Sequence, residues 1–162
     1  DIGVHVNGHI ADIAATIDLG NNKELILAAE KALMEAIVVA KPGIKVNEIG
    51  RVIQNTMQEF GLSPIQNLSG HGLGVYKVHS GLTIPNYDND DKTILEEGQV
   101  IAIEPFATTG IGLGSDGKLA GIYRLIQKRP VRLDSARKAI EFIADKVNVE
   151  GLTDKMEEYF NN

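Results

Sequence analysis

The sequence has 162 residues, a net charge of −6 and no cysteine, and these numbers exclude several classes of protein. An acidic chain has no general attraction for nucleic acid or an anionic membrane. Without cysteine neither a disulfide nor a thiolate metal site can form, which fits a reducing, cytoplasmic location. No apolar run approaches the roughly 20 residues of a membrane span, so the composition indicates a soluble domain with one hydrophobic core.

The first thirteen residues predict a β-hairpin that brings two carboxylates together. Apolar residues alternate on both sides of Asn7-Gly8, a dipeptide that favours a type I′ turn. With the turn there, Gly3 faces Asp12, and Asp1 lies diagonally on the same face, roughly 7 Å from Asp12. Carboxylates this close repel each other, and a hard divalent cation would remove the conflict. The alternative is a pair of exposed polar residues.

Two amphipathic helices are predicted after the hairpin. Asn21-x-x-Glu24 resembles a capping box, and apolar residues then repeat at helical spacing until Pro42-Gly43. A second helix is predicted from about Val46 to Phe60, with Gly61 ending it. Because each helix has one apolar face, both are expected to pack on one face of a sheet.

Short strands and glycine-rich turns are predicted over most of the remaining chain. The acidic stretch 88–91 predicts a solvated loop, with a calcium site as the less favoured alternative. Residues 99–106 predict a buried strand and 121–127 another, and two more helices are expected near 135–147 and 153–159. The fold class that follows is α+β, with an antiparallel sheet and helices on one face.

Three further side chains are candidates for chemistry. His71 lies between glycines, where the backbone can approach a metal or substrate closely. Glu104 ends an apolar strand, where a buried carboxylate needs a cation or several donors. His79 could donate a hydrogen bond near such a site. The alternatives are a structural histidine at 71, a glutamate emerging at a strand end, and a half-buried strand residue at 79.

Taken together, the candidates form a donor set that resembles a known family. Carboxylates and imidazole suit Mn, Fe, Co or Zn better than soft metals. The order Asp, Asp, His, Glu is similar to that of the methionine aminopeptidases, metallopeptidases of the pita-bread fold whose dinuclear site ends in a fifth ligand, Glu. The motifs that carry the resemblance are Asp1-Ile2-Gly3, Gly8-x-x-Ala11-Asp12, Ser69-Gly70-His71-Gly72 and Glu104-Pro105-Phe106.

Later motifs resemble the type 2 enzymes of archaea and eukaryotes in particular. His71 and His79 are eight positions apart, and HSGLTIPN follows with Ser80 where type 1 enzymes and prolidase relatives usually have an acidic residue. Ile103 to Thr108 is also type-2-like. Ile13 departs from the family, since many relatives have Thr after the second Asp. A short, archaeal-style member is the best match.

The resemblance implies a mechanism and a substrate. Asp1, Asp12, His71 and Glu104 would bind two divalent ions (Co, Mn, Fe or Zn), with Glu104 also moving a proton. His79 would hydrogen-bond the peptide carbonyl, and Val78 would line a pocket for the methionine side chain. The substrate would be the N-terminal methionine of nascent polypeptides, which also allows association with the ribosome.

The fifth ligand of the family has no counterpart in a predicted strand. The late glutamates stand in predicted helical or loop positions: Glu141, Glu150, Glu157 and Glu158. We therefore expect an incomplete fragment, with residues 1–130 as a partial pita-bread catalytic domain and 131–162 as the start of the type 2 helical insertion. Such a fragment is expected to be inactive alone.

Two other functions stay open. One is an Xaa-Pro dipeptidase or aminopeptidase of the same fold, which would cleave Gly-Pro rather than Met-Gly peptides. The other is a non-catalytic pita-bread protein used for binding, although such proteins generally lose metal ligands and this chain keeps four.

Overall fold

The structure is a computed structural model that describes residues 1–118 and 130–146. The chain divides into two compact units, Asp1–Asp116 and Gly117–Asn162. The predicted strand at 121–127 and the predicted last helix at 153–159 lie outside the described residues, as do Glu150, Glu157 and Glu158.

The predicted hairpin is confirmed in its turn and its register. Strand β1 (Ile2–Val6) pairs antiparallel with β2 (His9–Ile13), and Gly3 lies opposite Asp12. Asn7 and Gly8 have φ values of 51° and 82°, as a type I′ turn requires. The hairpin forms a two-stranded sheet of its own, and most of its residues are exposed.

Two helices follow, close to their predicted bounds. Helix α1 spans Lys23–Val39 and α2 spans Val46–Glu59, with Gly61 at a φ of 69° just beyond α2. The predicted capping box is wrong, because the residue that caps α1 is Asn22 and its side chain makes no capping hydrogen bond. The Asp18 carboxylate instead accepts hydrogen bonds from the backbone N–H groups of Gly20 and Asn22.

The core lies where α1 and α2 pack together. Alanines on α1 leave room for the larger side chains of α2, so the two helices can pack closely. The fully buried members are Ala28, Ala32, Ala36, Val46, Ile49, Ile53, Met57 and Ile84. Gly50 of α2 lies against the backbone at Tyr87, since a Cβ on Gly50 would overlap the Tyr87 carbonyl oxygen.

The remaining strands are short. The three-stranded antiparallel sheet has the order β5 (Thr83–Pro85), β4 (Ser69–Leu73), β6 (Val100–Ala102), and β3 (Ser63–Pro64) pairs with β7 (Ala107–Thr108). The α+β class with antiparallel strands is confirmed, but the strands that the structure describes are divided among three small sheets. The predicted strand at 99–106 is wrong beyond Ala102, where the pairing with β4 ends.

In the second unit the structure describes one helix, α3 (Asp134–Lys146), within one residue of its predicted bounds. Glu141 lies on this helix and is exposed. None of the helices in the described parts of the chain has the length and hydropathy for a membrane crossing.

Candidate metal centre

His71 stands on the central strand of the three-stranded sheet. In β4 it lies opposite Thr83 of β5 and Ala102 of β6. Its glycine neighbours are required by close packing. A Cβ on Gly70 would overlap the Ala102 carbonyl oxygen, and a Cβ on Gly72 would lie 2.5 Å from Ser80 Oγ. These close approaches explain why glycines flank the histidine.

Glu104 reaches the same place from the segment that follows β6. Ala102, the last residue of β6, lies opposite His71, and Glu104 comes two positions later. Asp12 comes from the hairpin, a separate sheet. The three side chains therefore arrive from three parts of the chain that are distant in sequence.

The His71 imidazole is the centre of this cluster. Its Nε2 lies 3.0 Å from Glu104 Oε1 and 3.7 Å from Asp12 Oδ2. The three side chains keep only 11%, 33% and 20% of their surface exposed, in the order His71, Glu104, Asp12. Two carboxylates in a half-buried site repel each other unless positive charge lies between them.

The contact of His71 Nδ1 with the backbone indicates which ring nitrogen is free to bind a cation. Nδ1 lies 3.3 Å from the Gly72 carbonyl oxygen, which can only accept, so Nδ1 carries the proton in this contact. In a neutral ring Nε2 then presents a lone pair to the carboxylates. Glu104 Oε1 is buried and has no hydrogen-bond partner among the described residues, although His71 Nε2 approaches it to 3.0 Å.

These observations fit a divalent cation. An orphaned carboxylate oxygen, a second carboxylate and an imidazole oriented through its other nitrogen are the donors that such ions use. No group of three or more His, Asp or Glu side chains within the described residues forms a ready-made metal site, however. Asp1, which precedes β1, is exposed, and the ion pairs of His71 within the described residues are with Asp12 and Glu104.

His79 lies beside the cluster. Its ring packs edge-on against that of His71, with ring centroids 4.2 Å apart, and it is exposed. An exposed imidazole next to buried donors can reach a molecule bound in front of them. Val78 precedes it and is 48% exposed.

The sequence interpretation overlooked Tyr76, which holds the tip of the hairpin. Its backbone N–H donates to the Gly8 carbonyl oxygen at 2.8 Å, and its ring packs edge-on against His5 at 5.6 Å between centroids. Tyr76 has a φ of 57°, in the left-handed region. The sequence carries no signal for this contact, because a tyrosine is not expected at a positive φ.

The acidic stretch forms the predicted loop. Asp88 accepts a hydrogen bond from the Asn47 side chain at 2.7 Å, and Lys92 forms an ion pair with Asp90. Asp91 accepts from the backbone N–H of Thr93. These carboxylates are thus occupied by protein donors, and nothing in the described loop favours calcium.

Comparison with known proteins identifies one family, and the similar curated proteins are named methionine aminopeptidase. The sequence profile of metallopeptidase family M24 matches residues 1–150. The methionine aminopeptidase of Thermococcus onnurineus is 48% identical over 150 residues, which cover 91% of this chain and 51% of that protein. The chain spans about half the length of the curated relatives it matches.

Two solved structures are similar to this chain in fold. The methionine aminopeptidase from Rickettsia prowazekii has a TM-score of 0.56 at 33% identity, covering 61% of this chain and 40% of that one. The prolidase from Pyrococcus furiosus has a TM-score of 0.55 at 32% identity, covering 64% and 31%.

Proposed function

Because the chain belongs to metallopeptidase family M24, whose fold is the pita-bread fold, we propose that it supplies the central part of an archaeal, type 2 methionine aminopeptidase. The observation that carries the proposal is the buried Glu104 oxygen, which has no hydrogen-bond partner in the described part of the chain and faces the Nε2 of His71 beside Asp12. Relatives named methionine aminopeptidase support the choice of reaction. The substrate is the N-terminal methionine of nascent polypeptides.

Asp1, Asp12, His71 and Glu104 would hold two divalent ions. Bound there, the ions would lower the pKa of water and polarise the scissile carbonyl. Co, Mn, Fe and Zn all accept carboxylate and imidazole donors, so the donor set leaves these four metals as candidates.

The chain's own side chains have distinct tasks in this proposal. Glu104 takes a proton from the attacking water and returns it to the leaving amine, as a general base and then a general acid. His79 donates a hydrogen bond to the substrate carbonyl, where negative charge develops in the transition state. Val78, next to it and half exposed, forms a wall of the pocket for the methionine side chain.

The rest of the proposal concerns context. Residues 1–130 are a partial catalytic domain, and residues from 131 onward begin the type 2 helical insertion, of which α3 would be the first helix. A substrate that emerges from the ribosome favours a cytoplasmic location and association with the ribosome.

A prolidase-like activity is the second candidate, favoured by the similarity to the prolidase structure. Ser80, which stands where prolidase relatives usually have an acidic residue, disfavours it. A chimera separates the two functions. Residues 1–162 would replace the matched segment of the Thermococcus onnurineus enzyme, and the product would be assayed with Met-Gly-Met and Gly-Pro. Release of methionine is expected; cleavage of Gly-Pro alone would support the prolidase.

The metal site is tested in the chain itself. We expect His71→Ala to weaken Co²⁺ binding by at least about tenfold, because it removes the imidazole between the carboxylates. His9→Ala removes an exposed histidine of the hairpin and is the matched control. Isothermal titration and the visible absorption of Co²⁺ measure both. Equal affinities in the two variants would contradict the site.

A further inference from the structure

We propose that Tyr76 is a positioning residue, which fixes the hairpin so that Asp12 lies beside His71. The hairpin pairs only with itself among the described strands, so no ladder of hydrogen bonds to another sheet sets its direction. Its strands are mostly exposed and bury little surface against the helices. Asp12 therefore depends on a few discrete contacts for its position.

Two of these contacts lie at opposite ends of the hairpin. At one end Asp12 Oδ2 is 3.7 Å from His71 Nε2, which is beyond hydrogen-bond distance. At the other end the Gly8 carbonyl accepts the Tyr76 N–H at 2.8 Å. The four steps from Gly8 to Asp12 extend roughly 13 Å along the strand. Over that length a small rotation at the tip moves the carboxylate by a large fraction of a metal–ligand distance.

The Tyr76 ring makes the contact at the tip specific. It lies so close to Gly8 that a Cβ there would be 2.5 Å from Tyr76 Cδ2, and its edge meets the His5 ring. The tyrosine adopts a φ of 57°, in a turn closed by hydrogen bonds between Gly74 and Lys77. A residue with a side chain is thus kept at a position where glycine would be unstrained.

Residues 71–79 carry both the histidines of the site and Tyr76, which contacts the hairpin. His71 and His79 bracket the turn, and Tyr76 stands between them. The turn therefore aligns the hairpin on the element that supplies the metal-binding imidazole and the substrate-binding one. This inference rests on the proposed function, because it assigns a purpose to the position of Asp12.

The position of the hairpin can be measured without metal. The protein has no cysteine, so spin labels can be placed at His9→Cys on the hairpin and Asn55→Cys on α2. Double electron–electron resonance should give one narrow distance distribution for the parent and a broadened one for Tyr76→Ala. Val75→Ala, in the same turn, should match the parent. An unchanged distribution in Tyr76→Ala, or an equally broadened one in Val75→Ala, overturns the inference.

A second measurement links the contact between Tyr76 and the hairpin to the metal site. In the protein without labels, Tyr76→Ala should weaken Co²⁺ binding about tenfold, with an altered visible spectrum, while Val75→Ala keeps the parent values. Unchanged Co²⁺ affinity in Tyr76→Ala also overturns the inference, and the metal site then stands. If the parent binds no Co²⁺, the proposed function fails, and the spin-label distances alone decide whether Tyr76 positions Asp12.

Discussion

At the scale of single residues, the site depends on backbone approaches that leave no room for a side chain. Gly70 and Gly72 let β4 lie close to Ala102 on one side and Ser80 on the other. His71 between them is thereby held with Nδ1 against the Gly72 carbonyl and Nε2 toward the carboxylates. The orientation of the imidazole follows from the packing of its neighbours.

Substitution of Gly70 by alanine should therefore be costly. The new Cβ would overlap a backbone oxygen of Ala102, which cannot move without breaking the pairing of β4 with β6. We expect the free energy of unfolding to fall by about 2–3 kcal/mol. Gly3→Ala, where nothing lies within 4 Å, should change it by less than about 0.5 kcal/mol. Urea denaturation measures both, and equal stabilities would refute the steric explanation.

At the scale of elements, the start of α1 is stabilised by a residue outside the helix. The Asp18 side chain accepts hydrogen bonds from Gly20 and from the backbone and side chain of Asn22. These bonds favour the charged carboxylate, led by that from Gly20, and hold the pKa of Asp18 below its ordinary value of 3.8.

The lowered pKa gives the loop before α1 a defined pH dependence. Because the pKa is lower in the folded state, the stabilisation is fully present above about pH 4 and is lost as the pH falls through the folded-state pKa. The parent should lose stability more steeply in this acid range than Asp18→Asn. Asp116→Asn, at a carboxylate that accepts no hydrogen bond in the described residues, should follow the parent. Thermal unfolding from about pH 6 to 2.5 tests this; parallel curves for all three proteins would contradict it.

The sequence predicted elements whose signals are local and missed those that depend on distant contacts. Asn7-Gly8 specifies its turn through positive φ values, and the apolar repeat of α2 ends at Gly61, so both were predicted correctly. The capping box failed because the helix begins one residue later than predicted, after Asn22, whose backbone N–H and side chain are hydrogen-bonded to Asp18. The strand predicted at 99–106 was too long, since its apolar run does not reveal where its partner strand stops.

The candidate site was predictable as a set of residues and unpredictable as a geometry. His71 and Glu104 could be paired with Asp12 through their motifs, and the structure brings these three together. Asp1 stays a prediction as a ligand. Tyr76 had no motif, because its contacts with Gly8 and His5 join segments about seventy positions apart.

At the scale of the whole molecule, the described residues gather three donors without completing a metal site. The curated relatives are about twice as long as this chain. A site with too few donors binds its ions weakly and leaves its carboxylates under-neutralised.

The 162-residue chain by itself should therefore be inactive. Incubated with Met-Gly-Met and excess Co²⁺ or Mn²⁺, it should release methionine no faster than its His71→Ala variant. Chromatography of free methionine measures the rate. Release that His71→Ala abolishes would show that the chain completes its own catalytic centre.

The turn between the two histidines has a consequence for how this protein can vary. His71, Tyr76 and His79 lie within nine consecutive positions. His71 contacts Glu104, Tyr76 contacts His5, and His79 packs against His71 itself. One residue inserted or deleted between His71 and Tyr76 would shift the contacts of both Tyr76 and His79, and no single compensating substitution could restore both. Loop length here is therefore constrained more tightly than the identity of a residue such as Val75.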